Sequence, residues 1–98
     1  MSVFSIPRVN VIESDSGFSV EALPGRAGGL RYVESGRSLR IDSEIELGPT
    51  GRAIWTSSIE KWDPPHSNEH IDEATKARIV ENVKAAFRFR GFQISVME

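Results

Sequence analysis

The 98-residue sequence contains no cysteine. That absence removes disulfides, thiolate nucleophiles and sulfur-based metal sites together, and it fits a reducing compartment. No stretch approaches the roughly 18 consecutive apolar residues of a membrane-spanning helix. The opening residues, Met1-Ser2-Val3-Phe4-Ser5-Ile6-Pro7-Arg8, lack the basic-then-apolar layout of a secretion signal. A cytoplasmic location without membrane contact is therefore expected. Neither sign of charge is in excess: 12 basic and 14 acidic side chains leave a formal charge of -2, so there is no net counterion-release drive toward nucleic acid. A G-x-S-x-G elbow is missing, and no lysine follows Gly25, Gly28 and Gly29 to make a phosphate loop. No catalytic residue and no cofactor is expected.

What remains has an ordinary globular composition, 39% hydrophobic and 27% charged, and a length that sets one domain over residues 1–98. Residues 8–60 read as strands divided by turns. Residues 9–12 are apolar and β-branched apart from Asn10, and Ser14-Asp15-Ser16-Gly17 is a turn with a glycine free to take positive φ. Phe18 and Val20 alternate with Ser19 and Glu21, as in a half-buried strand. A Pro- and Gly-rich loop over residues 24–29 precedes a strand at 30–33, and Ser35-Gly36 turns it. Residues 38–47 give the clearest alternation. Leu39, Ile41, Ile45 and Leu47 (with Ser43) fall on one face, and Ser38, Arg40, Asp42, Glu44 and Glu46 on the other. Gly48-Pro49-Thr50-Gly51 is the next turn, and residues 53–59 form a fifth strand.

The character changes at Trp62-Asp63-Pro64-Pro65, where two prolines exclude regular structure over 62–70. A helix is predicted over 72–90. Asp72 is its N-cap, Ile79, Val80, Val83, Ala86 and Phe87 form one face, basic residues fill the last turn, and Gly91 stops it. Phe92, Ile94 and Val96 alternate into a final strand over 92–97. The expected class is α+β: a mainly antiparallel sheet of five to six strands, one helix in the C-terminal half packed on one face, then a last strand. A helical crossover would let that strand return parallel beside the fifth. The apolar face of residues 38–47 is expected to pack on Ile79, Val83 and Phe87.

Few residues invite chemistry. His66 and His70 are spaced as helical zinc ligands are, but they follow prolines and read as exposed loop residues, so no metal site is assigned. Arg88-Phe89-Arg90 interleaves base and aromatic, which single-strand binders do, yet helix-end charge and core contact explain it as well. Asp42, Glu44 and Glu46 form a solvated acidic row at two-residue spacing, which suits a basic partner. Trp55 and Trp62 are core residues by default and binding anchors if exposed.

The stretch Ile54-Trp55-Thr56-Ser57-Ser58-Ile59-Glu60-Lys61-Trp62-Asp63-Pro64-Pro65, followed by Asn82-Val83, Ala85-Ala86-Phe87 and Phe89-Arg90-Gly91-Phe92, resembles small immunity proteins of bacterial polymorphic-toxin systems, including contact-dependent growth inhibition. The resemblance runs from Leu30 onward. It implies a cytosolic protein, encoded beside a toxin domain, that binds the toxin and blocks its active site or its access to substrate. The toxins of such systems are often nucleases, some acting on transfer RNA. The resemblance carries over no catalytic residue, because immunity is a binding function. With a toxin as partner, the expected contacts are Asp42, Glu44 and Glu46, joined by Glu60, around a Trp55 anchor. The opposing site is the Trp62 loop. No direct nucleic-acid contact is expected. A small, acidic, cysteine-free domain without a catalytic constellation also suits a small nucleic-acid-binding protein or an accessory subunit, which is the alternative reading.

Overall fold

The computed structural model describes residues 3–24, 28–45 and 51–97. The centre of the glycine loop (25–27), the turn residues 48–50, and with them Glu46 and Leu47, lie outside the described residues.

Five strands form an antiparallel meander: β1 (Phe4–Arg8), β2 (Val11–Ser14), β3 (Phe18–Ala22), β4 (Leu30–Glu34) and β5 (Arg37–Ile41), side by side in chain order. Antiparallel neighbours need only short connections. Ser35 and Gly36 both take positive φ, 52° and 79°, which makes the β4–β5 link a two-residue turn whose twist matches that of the strands.

The first hairpin corrects the sequence reading. Val9 and Asn10 are not strand residues but the two-residue turn between β1 and β2, with Asn10 at φ 69°. Asparagine tolerates that left-handed conformation, and the exposed Val9 marks the turn's tip. Strand β1 was not anticipated because Pro7 interrupts its pattern. Pro7 falls within an irregularity of the β1–β2 register, between Ser5 and Arg8, on an edge strand, and bulges and edges are where proline is accommodated in a sheet.

The alternation over 38–47 holds through Leu39 and Ile41, both buried, and then the chain leaves the sheet. It breaks at Asp42 and enters a second sheet made of β6 (Ser43–Ile45), β7 (Arg52–Trp55) and β8 (Ile94–Met97). Three hydrogen bonds hold the corner: the Asp42 N–H donates to Ser58 Oγ (2.9 Å), the Trp55 N–H to the Asp42 carbonyl (3.0 Å), and the Ser58 hydroxyl to the Trp55 carbonyl (2.6 Å). The redirection leaves Ile45, expected in the core, 56% exposed. The fifth strand is also shorter than expected, ending at Trp55 in a 3-10 turn over Thr56–Ser58. Ile59 still reaches the core.

Helix α1 (Glu73–Phe89) connects the sheets. Asp72 caps it by accepting from the Thr75 N–H (2.8 Å). Ile79, Val83, Ala86 and Phe87 are buried against Ile12, Val20, Leu30, Tyr32, Leu39 and Ile41 of the large sheet and Ile54 of the small one. The helix ends in a Schellman motif: Phe92 N–H donates to the Phe87 carbonyl (2.9 Å), Gly91 N–H to Arg88 (2.9 Å), and Gly91 sits at φ 85°. These bonds hold Phe92 at the helix end, so β8 starts at Ile94 and not at Phe92. Beyond it β8 runs parallel to β7, as the helical crossover allows. The architecture is α+β, with the helix on one face of a five-strand antiparallel sheet.

Because Ile41 is fully buried and Ile45 is not, Ile41→Ala should destabilise the protein by roughly 2–5 kcal/mol. Ile45→Ala should stay within about 0.5 kcal/mol. Chemical denaturation curves of the two variants check this. Equal losses would return Ile45 to the core.

Candidate functional site

The acidic row does not run along one straight strand. Asp42 occupies the corner between the sheets, and its carboxylate is engaged by the Arg40 guanidinium, which also donates to the Gly28 carbonyl (3.1 Å). Glu60, exposed, borders the same shallow depression as Arg40, Lys61 and Trp62. Glu44 is exposed on β6 opposite Ala53. By strand alternation Glu44, Ala53, Trp55, Ser95 and Met97 share one face of the small sheet, on which Ala53 is buried. Trp55, half-buried there, therefore does adjoin Glu44. Glu46 lies outside the described residues. The structure thus brings Glu44 and Trp55 together on one face and puts Asp42 and Glu60 beside Arg40.

The proline loop is held by its neighbours. Trp62 is buried, its ring stacked 6.5 Å from Tyr32, and the Asp63 N–H donates to Ser38 (2.8 Å). Arg37 pairs with Glu69 (2.8 Å), and the Ile71 N–H donates to Glu60 (2.9 Å). Trp62 thus acts as core scaffold. His66 closes a turn on Asp63 and His70 bridges Lys61. Among the described residues no group of three or more His, Cys, Asp or Glu is placed to hold a metal ion.

One polar cluster is built into the core. The fully buried Tyr32 donates its hydroxyl to Glu34 Oε1 (2.6 Å) and accepts from Asn82 Nδ2 (2.8 Å), while Arg78 pairs with Glu34. Burial and the bond to Glu34 push the phenol's pKa well above its ordinary value. No buried side-chain polar atom among the described residues lacks a partner, and the cluster ties α1 to β4.

A feature the sequence reading missed surrounds Phe92. The ring is 48% exposed and separates two hollows. One has Arg52 and Arg90 at its sides over a floor that includes Ile12, Val20 and Phe87, and Asn10 of the first turn closes it. The other is bordered by Lys84, Arg88 and Gln93. Arg52 lies over the Phe87 ring, 5.7 Å from its centroid, and donates to Ser43 Oγ (3.0 Å); burial lowers its pKa. A side chain at Gly51 would come within 3.1 Å of the Phe92 ring, and Gly51 has φ 78°, so glycine lets the ring lie down there. The available signal was Gly91: the residue after a helix-stopping glycine belongs to the cap, whereas the period-two pattern assigned it to the strand.

The scaffold is a small α+β fold whose surface hollows range from side-chain size beside Phe92 to about 440 Å³ beside Glu60. Residues 23–97 match the family described as Immunity protein 74, and the chain belongs to that family of immunity proteins of polymorphic-toxin systems. The match covers everything from the end of β3 through β8, which includes the stretch from Leu30 onward that carried the resemblance. The partner of such a protein is a toxin. No curated protein and no solved structure matches the chain.

The chain has one tyrosine, so its ionisation can be followed by absorbance without interference from another. A raised folded-state pKa means that the phenol's contribution to stability is full below the unfolded value near 10 and is lost as pH rises above it. Phenolate absorbance should therefore appear together with unfolding, above pH 10. A simple titration near pH 10 in protein that keeps its circular dichroism would contradict the buried cluster.

Proposed function

We propose that this protein neutralises a nuclease toxin in the cytoplasm by binding it directly and blocking its active site or its access to substrate, with no turnover of its own. The observation that carries the reading is the family match, which runs from β4 through α1 to β8 rather than over a local motif. The nuclease assignment follows from how often the toxins of such systems cut nucleic acid. A cytoplasmic site of action agrees with the lack of cysteine and with a fold in which no described helix is long and apolar enough to cross a membrane. A non-enzymatic role agrees with the family, whose members act by binding a toxin.

The alternative, a nucleic-acid binder, rested on Arg88-Phe89-Arg90. Phe89 packs against Phe4, with ring centroids 5.4 Å apart, so one face of its ring is unavailable for base stacking.

The test is titration of the purified toxin domain encoded beside the gene. Toxin activity should fall linearly with added protein and reach zero at equivalence, with a complex that co-elutes on gel filtration. Inactivation by a small fraction of an equivalent would mean catalysis. Tight, salt-sensitive binding of transfer RNA by the free protein would favour the nucleic-acid reading.

A further inference from the structure

Charge is distributed unevenly over the described surface. Four arginines are matched within the chain: Arg31 with Glu21 (3.9 Å), Arg37 with Glu69 (2.8 Å), Arg40 with Asp42 and Arg78 with Glu34. At the C-terminal end of α1 the pattern changes. Arg52, Arg88 and Arg90 have no carboxylate partner among the described residues, and Lys84 has only Glu81 (3.4 Å) one turn away; Arg8, Lys61 and Lys76 are unmatched as well, but none of them lines the hollows beside Phe92. These cations surround Phe92, a ring fixed by the Schellman bonds and by the contact with Gly51. The hollows beside it hold about 140 and 220 Å³. That is below the roughly 300–1,000 Å³ of small-molecule pockets. It suits individual side chains of a docked protein.

We propose that this ridge, Phe92 with the cationic hollows on either side, is where the toxin docks, and that it receives an exposed toxin segment carrying carboxylates on both sides of an apolar side chain. The inference rests on the toxin-binding function proposed above and names the surface that performs it. Aromatic and arginine side chains in fixed positions are the groups that dominate protein interfaces. Guanidinium forks match carboxylates in two-point hydrogen bonds. Arg52, half-buried over Phe87, has already lost part of its hydration, so a carboxylate entering its hollow gives up less water-mediated stabilisation of the cation. The acidic side chains around the Asp42 corner offer less. Asp42 is already matched by Arg40, and Glu60 lies beside the same arginine. An RNA strand is the less suitable occupant. Phe92 is a single ring between two side-chain-sized hollows, whereas single-strand binders present successive stacking platforms.

Two surface variants and one anchor variant test this: Arg88→Glu with Arg90→Glu, Asp42→Lys with Glu44→Lys, and Phe92→Ala. All five side chains are exposed, and melting curves confirm that each variant folds. The probes are the purified toxin domain encoded beside the gene and a short labelled single-stranded RNA. At low salt the arginine reversal should slow association with the toxin at least about tenfold, as loss of charge steering does. Phe92→Ala should speed dissociation about tenfold or more. The Asp42/Glu44 reversal should bind as the parent does. If the parent binds toxin and the arginine and Phe92 variants bind it equally well, the toxin docks elsewhere and the proposed function stands without this surface. If the parent binds the RNA, and the same substitutions abolish that binding, the occupant is nucleic acid and the inference falls. A parent that does not bind the toxin overturns the function and this inference with it.

Discussion

A single helix must cover two sheets. The buried side of α1, Ile79, Val83, Ala86 and Phe87, is the only helical apolar face among the described residues, and the inward faces of both sheets close on it. Most other features of the fold follow from that constraint. The chain has to turn out of the large sheet once β5 has buried Leu39 and Ile41, and the Asp42 corner does this with three hydrogen bonds. The last strand returns parallel to β7, as the helix between them allows. The helix must therefore end sharply, and Gly91 supplies the positive φ that the reversal requires. Tyr32 fastens the assembly from inside, since its hydroxyl reaches Asn82 on the helix and Glu34 on its own strand.

Much of this was legible in the sequence because the signals were local and periodic. The helix needed only Asp72, a 3.6-residue apolar stripe and Gly91. The large sheet needed alternation and turn residues, and the crossover followed from a helix between two strands. Three elements were not legible. Strand β1 was hidden by Pro7, which is accommodated at an edge strand where the register shifts, and both edge position and register are tertiary properties. The break at Asp42 was hidden because alternation continues through it: Ser43 is buried and Glu44 exposed, as one long strand would have them. Ile45 reveals the change of sheet only through its exposure. Phe92 was assigned to the strand by a period-two pattern that competes with capping at the same position.

The candidate contacts show the same division. Reading Asp42, Glu44 and Glu46 as a row needed only spacing, and the structure leaves Glu44 exposed on one face with Trp55. What spacing could not reveal is pairing. Arg40 precedes the acidic residues on the same face of the segment, and its side chain turns to Asp42. The unmatched cations around Phe92 come instead from separate segments, Arg52 from β7 and Arg88 and Arg90 from the end of α1. The parallel return of β8, which pairs Arg52 with Ile94, brings those segments together. A surface assembled by topology leaves no contiguous signature. The Phe92 ridge belongs to the same scaffold that fixes the core, so its ring and the Arg52 guanidinium are positioned before any partner arrives, which limits the ordering cost of binding.

The most direct measurement of the central claim is backbone hydrogen exchange of the protein alone and in complex with its toxin. The account predicts that complex formation slows exchange at residues 51–53 and 88–93, around Arg52 and Phe92, and leaves residues 42–45 as they are in the free protein. Slowed exchange confined to residues 42–45 and 55–60, with the helix end unchanged, would contradict it.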